Sequence, residues 1–97
     1  MFIGKVVGTV VSTAKSERLE QLKLLVVQQL DTEVNFTGVY VVAVDTVGSG
    51  VGEVVLYSLG SSARQTDLTH NKPVDAVISA IIDSWDIEGV VKFRKDD

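Results

Sequence analysis

Valine constrains this chain more than any other feature. It recurs in short runs, VVGTVV, LLVV, VYVVAV, VGEVVL and VVKF, most of them closed within a few residues by Gly, Asp, Asn or Thr. Branching at Cβ stiffens the side chain and suits the pleated backbone, so runs of this length between turn formers read as strands. They span Phe2 to Val11, Lys23 to Gln29, Val39 to Val44 and Glu53 to Leu59, with a final apolar region from Val77 to Ile87 and Val90 to Phe93 behind it. Five or so short strands at this length predict a mostly β fold, a small OB-like closed β-barrel. Closure removes the exposed edges that so valine-rich a sheet would offer for aggregation.

The connections fit that expectation. STAKSERLEQL is polar and without alternation, a loop whose Leu19 and Leu22 can fold back on the barrel wall. DTEVNFTG, with Asp31, Asn35 and Gly38, reads as a hairpin connection. One segment is ambiguous. Val74, Val77, Ile78, Ile81, Ile82 and Trp85 follow helical spacing, with Asn71 as a cap and Pro73 in the first turn. Val77, Ile81 and Trp85 also fit a strand, and periodicity alone does not decide between the two.

With 97 residues, one proline and no cysteine, a single domain over residues 1–97 is expected, without a disulfide framework or thiolate metal site. That cysteine usage suits the cytosol. The opening MFIGKVVGTVV lacks the parts of a signal peptide and is expected to be structural from the start. No apolar run approaches the roughly 20 residues that a spanning helix needs. A formal net charge of -4, with nine scattered Lys and Arg, argues against a nucleic-acid partner. The mean hydropathy is high for so small a chain, which predicts that part of the surface meets another subunit.

Candidate chemistry is sparse. Gly48-Ser49-Gly50-Val51-Gly52 has the wrong spacing for a dinucleotide fingerprint, and Glu53 stands where a P-loop needs its lysine. Tight turns with positive φ, or close backbone approach, account for these glycines better. In Gly60-Ser61-Ser62-Ala63-Arg64, a capped turn beside Arg64 can hold an anion. A connector whose arginine pairs a carboxylate across a subunit boundary explains it more simply. His70 is the only histidine, and a triad with Ser61 or Ser62 and Asp75 exists on paper alone. Asp45 and Asp83 form a notional acid–base pair, but such residues more often begin turns or pair with cations. With one His and no Cys there is no metal-ligand cluster. The six aromatics are too dispersed to stack bases.

Taken in order, IGKVVGTVVSTAKSERL, KLLVVQ, VAVDTVGSGVGEVVL, GSSARQT and PVDAVISAIID resemble the EutN/CcmL family over nearly the whole chain. The resemblance implies a β-barrel related to the OB fold and a five-fold ring at the vertices of a bacterial microcompartment shell. It implies hexameric shell proteins as neighbours, a place in the bacterial cytoplasm, and neither catalysis nor a cofactor. The family's glycine motif falls on Gly48, Ser49, Gly50, Gly52 and Glu53, and its serine-arginine motif on Gly60, Ser61, Ser62, Ala63 and Arg64. Its other blocks fall on Val11, Ser12, Thr13, Lys15 and Ser16, and on Pro73, Val74 and Asp75. These are expected to be packing and assembly sequences. Ser49 replaces the central alanine of the family's Gly-Ala-Gly, and Gln21 replaces a glycine before the KLL strand. The resemblance places a short helical turn at Pro73 and Val74, then a strand from about Val77. VAVDTVG followed by GxGE points to a catabolic compartment. The alternative is an OB-like module that binds an oligonucleotide or a small anion, marked by salt-dependent affinity.

Overall fold

The computed structural model describes residues 1–13, 22–60 and 75–96. It contains β1 (Phe2–Thr9), β2 (Leu24–Leu30), β3 (Phe36–Asp45), β4 (Val54–Leu59), β5 (Ala76–Ile81), β6 (Ser84–Ile87) and β7 (Val90–Arg94). The first five close into a barrel in the order β1-β2-β3-β5-β4, with β4 returning to pair β1. Neighbours are antiparallel except β3 and β5, which run parallel where Val44 faces Val77 and Asp45 faces Ile78. This is the five-stranded closed barrel that the valine runs predict.

Alternation divides the strands between two faces. Val6, Leu25, Val27, Ala43, Val55, Tyr57, Ala76 and Ile78 point inward and form one core. On the opposite face Val44 and Val77 make a smaller cluster with Leu22 and Leu24. Leu22 therefore does fold back on the barrel wall, whereas Leu19 lies outside the described residues. The wall is thinnest at Gly4. A Cβ there would run into Val27 Cγ1 and would lie 2.8 Å from Tyr57 Cε1 and 3.1 Å from Gln28 O. Only glycine fits.

Three boundaries differ from the sequence-based expectation by more than one residue. β1 ends at Thr9 and not Val11. β3 begins at Phe36 and not Val39, because Asp31 closes the preceding turn within five residues. The Asp31 N–H donates to Asn35 O at 2.9 Å, and its Oδ1 accepts the amides of Glu33 and Asn35 at 2.9 Å each. Ladder pairing then resumes at once, with Phe36 opposite Leu30.

The third difference is larger. The apolar region from Val77 to Ile87 is two strands, because β5 runs out of partners where β4 begins at Val54 and β3 ends at Asp45. Ile82 still donates to Val54 O at 2.8 Å; then Lys95 N–H donates to Asp83 O at 2.8 Å and ties off a separate hairpin. In it β6 pairs β7 through a turn at Glu88 and Gly89, both with positive φ (51° and 81°), the pattern of a primed hairpin turn. Trp85 stacks on Phe93 with centroids 4.9 Å apart and donates its Nε1–H to Thr32 O at 3.0 Å. Lys92 pairs with Glu33 at 3.0 Å. The hairpin is thus braced on the β2–β3 turn. The ambiguous segment is strand from Ala76, while the short helical turn expected at Pro73 and Val74 lies outside the described residues.

Candidate assembly surfaces

The turn from Asp45 to Glu53 carries the first candidate motif. Gly48 and Gly52 adopt φ of 77° and 96°, with open space where a Cβ would stand. They serve the turn and not a close approach within the subunit. Gly50 has ordinary φ, and a Cβ there would come only within 3.9 Å of Glu53 Oε1. The turn is stitched to β1: Gly52 N–H donates to Val6 O at 2.8 Å, and Val6 N–H to Glu53 O at 2.9 Å.

Its amides are already occupied by carboxylates. Asp45 Oδ1 accepts the amides of Val47 and Ser49 at 3.2 Å each and the Ser49 hydroxyl at 2.8 Å. Glu53 Oε1 accepts the Gly50 amide at 3.0 Å. A phosphate would meet negative charge where a P-loop offers free donors, so the geometry agrees with the turn reading. Lys23 closes the arrangement, its Nζ 2.6 Å from Ser49 O and 3.3 Å from Asp45 Oδ2. Burial alone would raise the Asp45 pKa. The hydrogen bonds from Ser49, Val47 and Lys23 outweigh it and hold the carboxyl below its usual value. Asp45 is therefore committed to a turn and a cation.

The other candidates are scattered. Gly60 adopts φ of 67° and its N–H donates to Asp75 O at 2.9 Å, so these two residues hold together the ends of the segment between them. Ser12, Thr13 and Asp75 are exposed. Ser61, Ser62, Ala63, Arg64, Lys15, Gln21, Pro73 and His70 lie outside the described residues, and with them the paper triad. Among the described residues no three His, Asp or Glu side chains gather into a metal-binding group. Four of the six aromatics form separate pairs, Phe2 on Tyr57 and Trp85 on Phe93.

Two surfaces escaped the sequence reading. The outer face of β2 and β3 exposes Tyr40 and Val42 beside half-buried Val26. The hairpin exposes Ile87, Val90 and Val91. Alternation could have revealed the first, since Val42 lies between inward-facing Val41 and Ala43. What it does not reveal is which outward positions another part of the chain covers.

Comparison with known proteins agrees with this architecture. The family model described as "Ethanolamine utilisation protein EutN/carboxysome" matches residues 1–83. The microcompartment shell vertex protein GrpN of Rhodospirillum rubrum is 49% identical over 84 residues, 87% of this chain and 94% of that one. Its structure, described as a pentameric microcompartment shell protein, superposes with a TM-score of 0.81 at 48% identity, covering 90% of this chain and 99% of that chain. The carboxysome shell vertex protein CcmL of Nostoc is 47% identical over 98 residues, 100% of this chain and 97% of that one. CcmL of Gloeobacter violaceus superposes over 100% of both chains with a TM-score of 0.95 at 41% identity. On the barrel, the glycine turn and these matches, the chain belongs to the EutN/CcmL family.

Proposed function

We propose that this chain is a structural subunit, five copies of which form a ring at a vertex of a bacterial microcompartment shell in the cytoplasm. The observation that carries it is the near-complete overlay on a pentameric shell protein at 48% identity. Physical reasoning supports it. A closed barrel of this size has no need to leave Tyr40, Val42, Val90 and Val91 in water unless something covers them. Hexagonal tiles alone make a flat layer, and a five-fold ring is the piece that closes it. The relatives named for shell vertices favour this over an OB-like binding module, as do the occupied amides of the glycine turn.

The finer parts of the proposal follow from the same reading. The chain acts by packing and not by catalysis, as one domain over residues 1–97, and its neighbours in the shell are hexameric shell proteins. Gly48, Gly50, Gly52 and Glu53, with the Gly60 to Arg64 segment, Ser12, Thr13, Lys15, Pro73 and Asp75, belong to the contacts of assembly, while Ser49, buried within the subunit, holds the turn that presents the glycines. Gly50 is the sharpest case, because the subunit itself leaves room for a side chain there. The VAVDTVG and GxGE stretch supports a compartment of the catabolic kind.

Native mass spectrometry at near-physiological salt tests the ring directly. A five-subunit species is expected, followed by co-purification with a co-expressed hexameric shell protein. A monomer or dimer would overturn the vertex reading. Gly50→Val is expected to weaken the ring while leaving the melting of the barrel unchanged.

A further inference from the structure

Resting on the vertex reading, we infer that neighbouring subunits meet through the β6–β7 hairpin of one copy and the outer face and open edge of β3 on the next. On the β2 side β3 is paired from Tyr40 to Val44 and again at Phe36, with a bulge between. On its other side β5 joins it only at Val44 and Asp45, so the stretch from Phe36 to Val42 keeps an unpaired edge among the described residues. That edge is apolar, with Tyr40 59% and Val42 53% exposed. An open apolar edge is a liability unless a strand or side chains cover it.

The hairpin has what such a cover requires. Among the described residues each of its two strands pairs only with the other, so each keeps a free edge there. Its tip is apolar on both sides: Ile87 and Val90 oppose each other on one face, and Val91, opposite Asp86, points the other way with 48% exposure. A tip that is apolar on both faces suits insertion between two surfaces. Its base is fixed to its own subunit by Trp85 on Thr32 and Lys92 on Glu33, which sets the direction in which the tip points.

Charge adds a second match. Cross-strand pairing puts Lys5, Gln28 and Tyr40 in one outward row, beside the row of Gly8, Val26 and Val42. Lys5 has no ion-pair partner among the described residues, and neither do Asp86 and Glu88 at the hairpin tip. The two patches differ in their residues, and the unpaired charges of Lys5 on one and Asp86 and Glu88 on the other are opposite in sign. A ring closes by such head-to-tail contacts, in which one patch of each copy meets a different patch of the next. A second copy of this chain is therefore the occupant that fits.

The absence of native cysteine makes the test clean. Val42→Cys and Val90→Cys are introduced singly and together into the full chain, and the assembled protein is treated with a short bis-maleimide. The double variant is expected to give a ladder of covalent species up to five subunits on a denaturing gel, and each single variant only monomer. In parallel, Lys5→Glu and Glu88→Lys are each expected to weaken the ring roughly tenfold, and the double charge swap to restore it. A five-subunit ring without cross-links, or a ladder from either single variant, would overturn this contact while leaving the vertex reading intact. A wild-type chain that forms no ring would overturn both.

Discussion

The hydroxyl of Ser49 donates to Asp45 Oδ1 at 2.8 Å in a site where Ser49 is fully buried. The serine that departs from the family's Gly-Ala-Gly is thus a specific partner of the carboxylate that organises the turn. Ser49→Ala should leave Asp45 with the Val47 and Ser49 amides and Lys23. A hydrogen bond to a charged group contributes about 1.5–3 kcal/mol, so a loss near the lower end is expected. Urea denaturation of both proteins measures it. An unchanged midpoint would mean that Lys23 and the amides compensate fully.

Asp45 also gives stability a definite acid limb. Its folded pKa lies below its ordinary value, so its contribution is fully present above the unfolded pKa, near 4. It is lost as pH falls from there through the depressed folded value. Stability measured at pH 7, 4 and 3 should fall more steeply for wild type than for Asp45→Asn, which is the weaker protein at pH 7. Parallel curves would show that other carboxylates control the acid limb.

Gly4 holds the barrel wall closed. Gly4→Ala drives a methyl group into Val27 and the Tyr57 ring, and overpacking of this kind costs about 1–3 kcal/mol. Thermal melting should drop by several degrees. Gly50→Ala is the control, since its methyl group meets nothing closer than 3.9 Å, and its melting should stay at the wild-type value.

Val34 sits at φ 66°, a conformation that β-branched residues rarely adopt. It lies in the turn that Asp31 closes and on which the hairpin is braced. Val34→Asn should relieve strain and raise stability by about 1 kcal/mol, because asparagine tolerates this region. A lower melting temperature would instead show that the half-buried valine side chain contributes more by packing than the strain costs.

Much of this protein was legible without coordinates. β-branched runs bounded by turn formers gave the mostly β class and the five barrel strands to within a few residues, and narrowed the glycines at 48 and 52 to a tight turn or a close approach. These are local properties, set by Cβ branching and by the freedom of a residue without a side chain. The sequence alone also excluded a phosphate loop, since Glu53 follows the last glycine of the motif. Tertiary structure decided the rest. That Gly4 and not Gly50 marks the tightest approach within the subunit depends on Val27 and Tyr57, which come from other strands. The splitting of the last apolar region into β5 and a separate hairpin follows from where its partners stop, β4 beginning at Val54 and β3 ending at Asp45. Which valines stay in water, Val42 and Val90 but not Val44 or Val77, is a matter of what packs above each strand, and a period of two cannot encode that.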